Sequence, residues 1–238
     1  MKSSILNSDT FSPLYRQLIK RLQSDIASGV YPVHGRIPSE QALCDTYQVS
    51  RVTVRKALSD LVRDGLLIRH QGKGTYVAVP RIKRDLNQIT SFHDACRIMG
   101  CTASTRLVHL AWQRATPEDV ESLHTDPGEM VLEICRLRFA DNLPVMLETN
   151  RFPASFGFLD KEDLSASLYA LLLKKGFEPS KAVHDIALSY ASPAQAKLLE
   201  VAPEAALLLL KECVYDQSGA PIHTSSQLIR GDRFTFRI

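Results

Sequence analysis

The sequence predicts an α+β protein built from two domains, and three observations support this prediction. The chain has 238 residues, which is more than one small core needs. Its first part spaces apolar residues as helices do, and its second part alternates helical stretches with paired, strand-like stretches. We therefore expect a first domain at residues 1–78, a polar linker at 79–89 and a second domain at 90–238.

Three helices and a hairpin are predicted in the first domain. Apolar residues recur at spacings of three and four in its first and third helices, and serines stand where N-caps are needed. The predicted helices run from Pro13 to Gly29, from Ser39 to about Tyr47 and from Ser50 to Gly65. Two short strands, Leu66–Arg69 and Thr75–Val79, then flank a glycine-rich cationic tip at residues 70–74.

Charge is divided unevenly along the chain. Residues 1–90 contain 14 Lys and Arg against 7 Asp and Glu, whereas residues 91–238 contain 15 against 19. A basic first domain joined to a mildly acidic second one is typical of a phosphate-binding module attached to a domain that does not bind nucleic acid. Chance surface charge is an alternative that composition alone does not exclude.

The start of the third predicted helix has the chemistry of a DNA-reading helix. Arg51, Thr53, Arg55 and Lys56 follow a tight turn at Val49–Ser50. A helix after such a turn can enter the major groove, where arginine donates two hydrogen bonds to guanine and threonine contacts a thymine methyl. An ordinary solvated helix face has a similar composition. The cationic tip that follows favours DNA binding, because its glycines let the backbone approach a phosphate closely.

Four motifs occur together within residues 12–78. They are Pro38-Ser39-Glu40, Val49-Ser50-Arg51-x-Thr53-Val54-Arg55-x-Ala57-Leu58, Gly65-Leu66-Leu67 and Gly72-Lys73-Gly74-Thr75-Tyr76-Val77. Together they resemble the GntR family of winged-helix regulators, which implies a homodimer bound to palindromic double-stranded DNA. The resemblance implies DNA contacts from Ser39, Glu40, Ser50, Arg51, Thr53, Arg55, Gln71, Gly72 and Lys73. Gln41 stands where the family often has a cation that contacts DNA.

The second domain is predicted to contain helices and antiparallel hairpins. The predicted helices cover Phe92–Met99, a stretch beginning at Thr116, Ser165–Lys175 and Ser192–Leu199. The predicted strands cover Met130–Phe139, Pro144–Phe152, Ala182–Ala191, Leu207–Tyr215 and Ile222–Ile229. Turn residues at 141–142 and 216–220 join two pairs of these strands, which predicts an antiparallel sheet with flanking helices.

Two features of this domain point to an anion. Arg136 and Arg138 are two residues apart on one strand, so both project from the same face and repel each other unless an anion or carboxylate lies between them. Pairing with Glu133, Glu148 or another acid is the structural alternative. Residues Ser165–Tyr169 begin a helix whose free N–H groups and hydroxyls can bind an anion, although simple serine capping is the alternative there.

Six short motifs spread over residues 89–238 accompany these features. They are Thr90-Ser91-Phe92, Arg136-Leu137-Arg138, Leu143-Pro144-x-x-x-Glu148, Ser167-Leu168-Tyr169, Gly219-x-Pro221-Ile222 and Arg230-Gly231-Asp232-Arg233-Phe234. They resemble the UTRA domain, the effector domain of HutC-type GntR regulators, which shares its fold with chorismate lyase. In phosphosugar-sensing members of this branch, the ligand's phosphate is held at the positions of Ser91, Arg136, Arg138, Ser167 and Tyr169.

The resemblance implies a small anionic effector, with a sugar phosphate as one option. Its predicted ligand site consists of Ser91, Phe92, Arg136, Arg138, Glu148, Ser165, Ser167, Tyr169, His223 and Arg230. Glu148 matches the acid that bonds polar groups on the ligand body, and His223 could donate to a second acidic group. His223 and Ile229 stand where the branch commonly has an acid and an aromatic residue, so the end of the ligand away from the anion stays open.

Several kinds of site and location are not expected. Five scattered cysteines make no disulfide framework, and His93, Cys96 and Cys101 lack the second pair that a zinc site needs. No apolar run approaches the roughly 20 residues of a membrane span, and residues 1–10 lack the apolar segment of a signal peptide. We therefore expect no metal, no cofactor, no membrane partner and a cytoplasmic location.

Together these features predict a DNA-binding transcriptional repressor whose operator affinity is changed by a small anionic, phosphorylated metabolite. A non-phosphorylated carboxylate effector is an alternative, and so is a DNA-binding protein without a ligand. An enzyme is a further alternative, because the effector fold is shared with a lyase. The sequence has no Ser-His-Asp set or phosphate-binding loop, and Glu148 with His223 is its one plausible acid–base pair, so we expect no catalytic residues.

Overall fold

The computed structural model describes residues 12–78 and 81–237, and the chain divides into two compact units, Met1–Arg81 and Ile82–Ile238. The α+β class predicted from the sequence is confirmed. The predicted strand end at Val79 and the expectation for residues 1–10 lie outside the described residues. No helix within the described ranges is long and apolar enough to cross a membrane.

The first unit contains three helices and an antiparallel hairpin, close to the predicted bounds. The helices are α1 (Leu14–Ala27), α2 (Glu40–Tyr47) and α3 (Arg51–Arg63), and the strands are β1 (Leu67–His70) and β2 (Gly74–Val77). Serine caps decide where α2 and α3 begin. Ser39 Oγ accepts a hydrogen bond from the Ala42 amide, and Ser50 Oγ accepts one from the Thr53 amide, each at 3.2 Å.

One apolar core joins these helices to the hairpin. Leu18 and Leu22 of α1 pack with Leu58 and Leu61 of α3, and all four side chains are almost fully buried. Burying leucines of this kind stabilises a fold by about 1.5–3 kcal/mol each. Because α3 buries this face, its opposite face, with Arg51 and the residues that follow, is left in solvent.

The second unit is a sheet flanked by helices. Its strands are β3 (Ile82–Asp85), β4 (Ala103–Arg114), β5 (Met130–Ala140), β6 (Leu143–Pro153), β7 (Lys181–Tyr190), β8 (Ala206–Tyr215), β9 (Pro221–Arg230) and β10 (Phe234–Arg237). Its helices are α4 (Phe92–Ile98), α5 (Pro117–Leu123), α6 (Leu168–Lys174) and α7 (Pro193–Leu199), with a 3₁₀ helix at Ala154–Lys161. Six strands form one antiparallel sheet in the order β4-β5-β6-β9-β8-β7.

Strand alternation gives this sheet two different faces. On β5, Leu132 and Ile134 pack with α6 and the 3₁₀ helix, whereas Cys135 and Leu137 pack with α7. Residues two apart on a strand share a face. Arg136 therefore projects toward the side of the sheet that α6 covers.

β4 has no counterpart among the predicted strands. It is an edge strand of the sheet, and a run of its residues from Arg106 to His109 is exposed. Half-buried strands are recognised in a sequence by alternation of apolar and polar residues. An edge strand with little burial has too weak an alternation to be recognised in this way.

The predicted linker at residues 79–89 was expected to have no secondary structure, but the structure contains a strand there. Ile82–Asp85 forms β3, which pairs in parallel with β10 in a separate two-stranded sheet. Ile82 and Phe234 are each 3% exposed and pack in the same apolar cluster. Ile82 and Leu86, two apolar residues among polar neighbours, attach this segment to the second unit, and composition alone does not reveal this.

The helix predicted from Ser165 begins later in the structure, at Leu168, with Ser167 as its N-cap. Asp163 Oδ1 accepts hydrogen bonds from the amide and the hydroxyl of Ser165, at 2.9 and 2.7 Å. This local turn competes with the helix for the Ser165 backbone and delays its start.

Candidate functional site

The exposed side of α3 carries cationic and apolar side chains. Arg51, Val52 and Arg55 are exposed, and Val52 keeps 76% of its surface accessible. Thr53 is half-buried, with its hydroxyl 2.9 Å from Ser50 Oγ. A capped helix with this face in solvent has the form that reads base edges in the major groove.

Two residues of α2 hold the arginines of α3. Gln41 Oε1 accepts a hydrogen bond from Arg51 Nε at 3.1 Å, and Glu40 Oε2 accepts one from Arg55 Nε at 2.9 Å. The contact with Glu40 raises the pKa of Arg55 above its usual value. Glu40 Oε1 also lies 3.4 Å from Arg69 Nη2 on β1. This carboxylate therefore links α2 to both α3 and the hairpin.

The tip of the hairpin is exposed and depends on two glycines. Gly72 and Gly74 adopt φ angles of +74° and +119°, which side-chain-bearing residues rarely do. A Cβ on Gly74 would also lie 2.7 Å from Arg36 Nε. Gln71 and Lys73 stand in solvent beside them. The residues predicted to contact DNA all lie in α2, α3, their caps and this tip.

The second unit has a buried polar floor on the α6 side of its sheet. Strand register places Glu148 of β6 opposite Arg136 of β5 on one side and Gln227 of β9 on the other. Residues directly opposite each other in antiparallel strands share a face, so their side chains meet. The polar floor consists of Arg136, Arg138, Glu148, Asn150, Glu212, Ser225 and Gln227, all of them buried.

A small cavity of about 30 Å³ lies over the polar floor. Its remaining walls come from the starts of α4 and α6 and from β3, β9 and β10; they include Ser91, Phe92, Ser167, Tyr169, Arg84, His223 and Phe234. A space of this size holds about one water molecule. A metabolite therefore needs some of these walls to move before it can enter.

Arg136 and Arg138 share one carboxylate. Arg136 Nη2 and Arg138 Nε both donate to Glu148 Oε2, at 2.5 and 3.0 Å. Arg138 also donates to Thr105 Oγ1 at 2.8 Å, and its guanidinium lies 5.3 Å from the ring centroid of Phe92. Two guanidiniums against one carboxylate leave a net positive charge beside the cavity.

The sequence left open whether these arginines pair with Glu133, Glu148 or another acid. The structure answers in favour of Glu148. Glu133 instead pairs with Arg151 and lies 2.8 Å from His109 Nε2, away from the cavity. Pairing and a cavity occur together, so the two interpretations do not exclude each other.

Two buried polar atoms at the cavity, Arg136 Nε and His223 Nε2, have no hydrogen-bond partner among the described residues. A buried polar atom without a partner costs about 1–3 kcal/mol. Both atoms are therefore placed to bond a water molecule or a ligand group in the cavity. The Tyr169 side chain lines the same cavity.

Burial and neighbouring charges shift the pKa values of the cavity residues. Burial raises the pKa of Glu148, but Arg138 and Arg136 outweigh it and bring the value to about 2. Burial lowers the pKa of Arg136 to about 10, against the opposing effect of Glu148. Burial also raises the pKa of Tyr169 and lowers that of His223. At neutral pH Arg136 and Glu148 are charged, whereas Tyr169 and His223 are neutral.

A second ion pair at the cavity was not identified from the sequence. Arg84 of β3 donates to Glu212 Oε1 and to Gln227 Oε1, each at 2.8 Å. His184 Nδ1 lies 3.1 Å from Glu212, at an angle that makes no standard hydrogen bond. Arg84 and Glu212 are far apart in sequence and meet only because of the order of the strands, so no local motif predicts their pairing.

The structure does not bring every predicted ligand residue to the cavity. Ser91 and Ser167 line the cavity, and they are also the N-caps of α4 and α6. The capping role expected for a serine at the start of α6 is therefore present at Ser167. Ser165 is bonded to Asp163 and does not line the cavity. Arg230 also lies elsewhere, because it pairs with Asp232 at 3.0 Å and donates to the Leu199 carbonyl.

Four of the five cysteines lie in the second unit, and none of them forms a disulfide. Across residues 12–78 and 81–237, no group of three or more His, Cys, Asp or Glu side chains is placed to hold a metal ion. Cys96 is fully buried, and burial raises the pKa of its thiol. The Cys101 thiol donates to the Cys96 carbonyl at 3.4 Å.

Comparison with known proteins gives matches to both units. The profile of the bacterial regulatory proteins of the gntR family matches residues 14–77, and that of the UTRA domain matches residues 99–235. The HTH-type transcriptional repressor NagR of Bacillus subtilis is 30% identical over 233 residues, covering 97% of this chain and 96% of that protein. The probable fructoselysine utilization operon transcriptional repressor of Escherichia coli K12 is 33% identical, covering 94% and 93%.

Among solved structures, the crystal structure of PhnF from Mycobacterium smegmatis is similar over most of its length. The TM-score is 0.84 at 30% sequence identity, and the match covers 94% of this chain and 97% of that one. The matched families and relatives are regulators of transcription and not enzymes.

We predict that Glu148→Gln lowers the free energy of unfolding of the second unit by about 3 kcal/mol or more. The substitution keeps the shape of the side chain but leaves two buried guanidiniums without a counter-charge. Urea unfolding in phosphate-free buffer measures the loss, followed by fluorescence of Trp112, the one tryptophan in the chain. Glu118→Gln is the matched control, since its pair with Lys211 is exposed and is worth at most about 1 kcal/mol. A loss at Glu148 no larger than the control's would contradict the account.

Proposed function

The chain belongs to the GntR family, in its HutC-type branch with a UTRA domain, and on that premise we propose that a small phosphorylated metabolite controls its activity. As a member of this family it is a transcriptional repressor that binds DNA and a small-molecule effector. The proposal concerns the chemistry of the effector, the residues that bind it, and the form in which the protein meets DNA.

The single observation that carries the proposal is the set of donors converging on the cavity. Arg136 Nε comes from the polar floor, and the hydroxyls of Ser167 and Tyr169 come from the start of α6, whereas the Ser91 hydroxyl already donates to Asp94 Oδ2 at 2.7 Å. Donors from the sheet and from α6 suit a tetrahedral oxyanion, which presents oxygens in several directions. A planar carboxylate has two oxygens and leaves part of this set unused. The arrangement therefore favours phosphate over carboxylate.

The charge at the cavity supports the same choice. Glu148 neutralises one of the two guanidiniums beside it, and the other keeps a positive charge in a buried position. Buried charge is costly unless it is paired. An anionic group placed between Arg136 and the start of α6 would supply the missing charge, and a neutral ligand would not.

Effector binding requires the small cavity to open, which provides a means of regulation. The segment that runs from β3 to Phe92 supplies Arg84, Ser91 and Phe92 to the walls, and it directly follows the first unit in the sequence. A ligand that binds an opened form more tightly shifts the population toward that form. Coupling of about 1–3 kcal/mol would change operator affinity by about five- to 150-fold. In this proposal, residues 1–78 bind DNA and residues 90–238 bind the effector.

We also propose that the protein acts as a homodimer on a palindromic duplex. The strand β7 forms an edge of the six-stranded sheet, and on one face it exposes Ile186, Leu188 and Tyr190. An unpaired apolar edge is a common pairing surface, and two-fold dimers match two-fold operators. The second copy would bury this stripe in an isologous contact.

For the DNA surface we predict that Arg51→Ala and Arg55→Ala each weaken operator binding by about tenfold or more, because each removes a base contact from the major groove. The operator is obtained by selecting from random double-stranded DNA, and affinity is measured by fluorescence anisotropy. Arg63→Ala, at the far end of the same helix, is the control and should change affinity little. Equal affinities for all three variants would remove the assignment of α3 to the groove.

For the effector we predict that Arg136→Met abolishes the response to the phosphorylated effector while operator binding stays intact. Sugar phosphates and their dephosphorylated counterparts are screened for a rise in melting temperature, since a ligand that binds the folded state stabilises it. Arg114→Ala, an exposed arginine on β4, is the matched control and should respond as the wild type does. If dephosphorylated compounds raise the melting temperature as much as phosphorylated ones, the phosphate proposal is wrong.

A further inference from the structure

The cavity has a second end, which is negative. Glu212 is 5% exposed and lies on β8, two strands away from β6 in the sheet. Its carboxylate accepts hydrogen bonds from Ser225 Oγ at 3.2 Å and from the Gln227 amide. Its counter-ion is Arg84, whose Nη2 lies 2.8 Å away. The cavity therefore lies between an arginine pair with excess positive charge and a carboxylate with a cation of its own.

The two partners of this ion pair differ in how firmly they are held. Glu212 belongs to an internal strand of the six-stranded sheet, whereas Arg84 belongs to the four-residue β3, which pairs only with β10 among the described strands. The Arg84 side chain is 14% exposed and that of Glu212 is 3% exposed. Since the cavity holds about one water molecule, an effector has to displace some side chain. Of the two partners, Glu212 is held in the sheet, so Arg84 is the one that we expect to move.

Displacement of Arg84 would leave the buried Glu212 carboxylate with His184 Nδ1, 3.1 Å away, and with its Ser225 and Gln227 donors, but without the guanidinium, and removing one partner of a buried ion pair is strongly unfavourable. The group that takes the place of the guanidinium must therefore bring positive charge or several donors. Arg84 would leave two acceptors, Glu212 Oε1 and Gln227 Oε1, and His223, whose Nε2 has no partner among the described residues, lines the same cavity as a third. An ammonium group has three N–H donors, which equals this number.

His223 contributes an acceptor because of the proton on its other nitrogen. Its Nδ1 lies 3.2 Å from the Thr224 carbonyl, which can only accept, so Nδ1 carries the proton. Burial lowers the pKa of the ring, which keeps it neutral and leaves a lone pair on Nε2. That atom is buried and has no partner among the described residues. A donor on the ligand would satisfy it.

We propose that Glu212, Gln227 and His223 form a site for a cationic nitrogen of the effector, which takes the place of the Arg84 guanidinium. The effector is then zwitterionic, with an oxyanion at Arg136 and a protonated amine or guanidine at Glu212. The anion end rests on the function proposed above, whereas the cation end rests on the Glu212 cluster alone. Glu212 of β8 and His223 of the neighbouring β9 line the same cavity.

The cation end is tested without any effector by chemical rescue of the full-length Arg84→Ala variant. This truncation leaves space next to Glu212 that a guanidinium ion fits. Guanidinium chloride at a few millimolar should raise the melting temperature of the Trp112-reported unit by about 2 °C or more over sodium chloride at equal ionic strength. Arg84→Met, which fills the same space, and Arg84→Ala with Glu212→Gln are the controls and should show no such rise. Absence of the rise in Arg84→Ala overturns the proposal.

The effector class is tested on the wild-type protein, so the result does not depend on whether a variant folds. Calorimetry compares phosphoethanolamine with ethyl phosphate, and glucosamine 6-phosphate with glucose 6-phosphate. The amine member of a pair should bind at least about tenfold more tightly, because its nitrogen makes charge-assisted hydrogen bonds. Glu212→Gln should remove this preference and retain the affinity for the member without an amine. Equal binding within both pairs, or a preference that survives Glu212→Gln, overturns the proposal.

These two arms separate this inference from the proposed function. Binding of both members of a pair with equal affinity, lost in Arg136→Met, would leave the phosphate site standing and reject the cation site. Successful rescue of Arg84→Ala, with no binding of any phosphorylated probe, would support the cation site and reject phosphate as the anion.

Discussion

The uneven pairing of Arg136 and Arg138 with one carboxylate is the constraint on which the effector domain depends. Glu148 lies opposite Arg136 by strand register and within 3.0 Å of Arg138 Nε, so it holds both guanidiniums at the floor of the cavity. It cannot neutralise both. One buried positive charge is therefore left for an anionic ligand. Without a ligand, Glu148 stabilises the two arginines, and an anion can bind beside it without displacing it.

The two ends of the cavity carry opposite charge. One end has excess positive charge, and the other has Glu212 with a counter-ion from β3. β3 directly follows the first unit in the sequence, and its side chains are attached to the second unit through Ile82 and Arg84. A ligand that displaces Arg84 would break the hydrogen bonds that join β3 to Glu212 and Gln227 at the cavity. Effector specificity and control of DNA binding would then use the same residue.

Local sequence signals were sufficient for most of the fold. Serine caps at Ser39 and Ser50 and a glycine at Gly65 placed α2 and α3, and the two-residue spacing of Arg136 and Arg138 placed both on one face. The signals failed where long-range contacts decide the outcome. β4 is an exposed edge, β3 depends on one apolar residue, and the Glu212–Arg84 pair joins residues 128 apart in sequence. Motif resemblance likewise assigned Arg230 to the ligand, although Asp232 holds it elsewhere.

The most direct measurement of the central claim is a crystal structure of the full-length protein grown with tungstate, a tetrahedral oxyanion located by its anomalous scattering. We expect tungstate within hydrogen-bond distance of Arg136 Nε and the Tyr169 hydroxyl, with Glu148 still bonded to Arg138. Tungstate bound only at other places, with Arg136 Nε still lacking a partner, would contradict this claim.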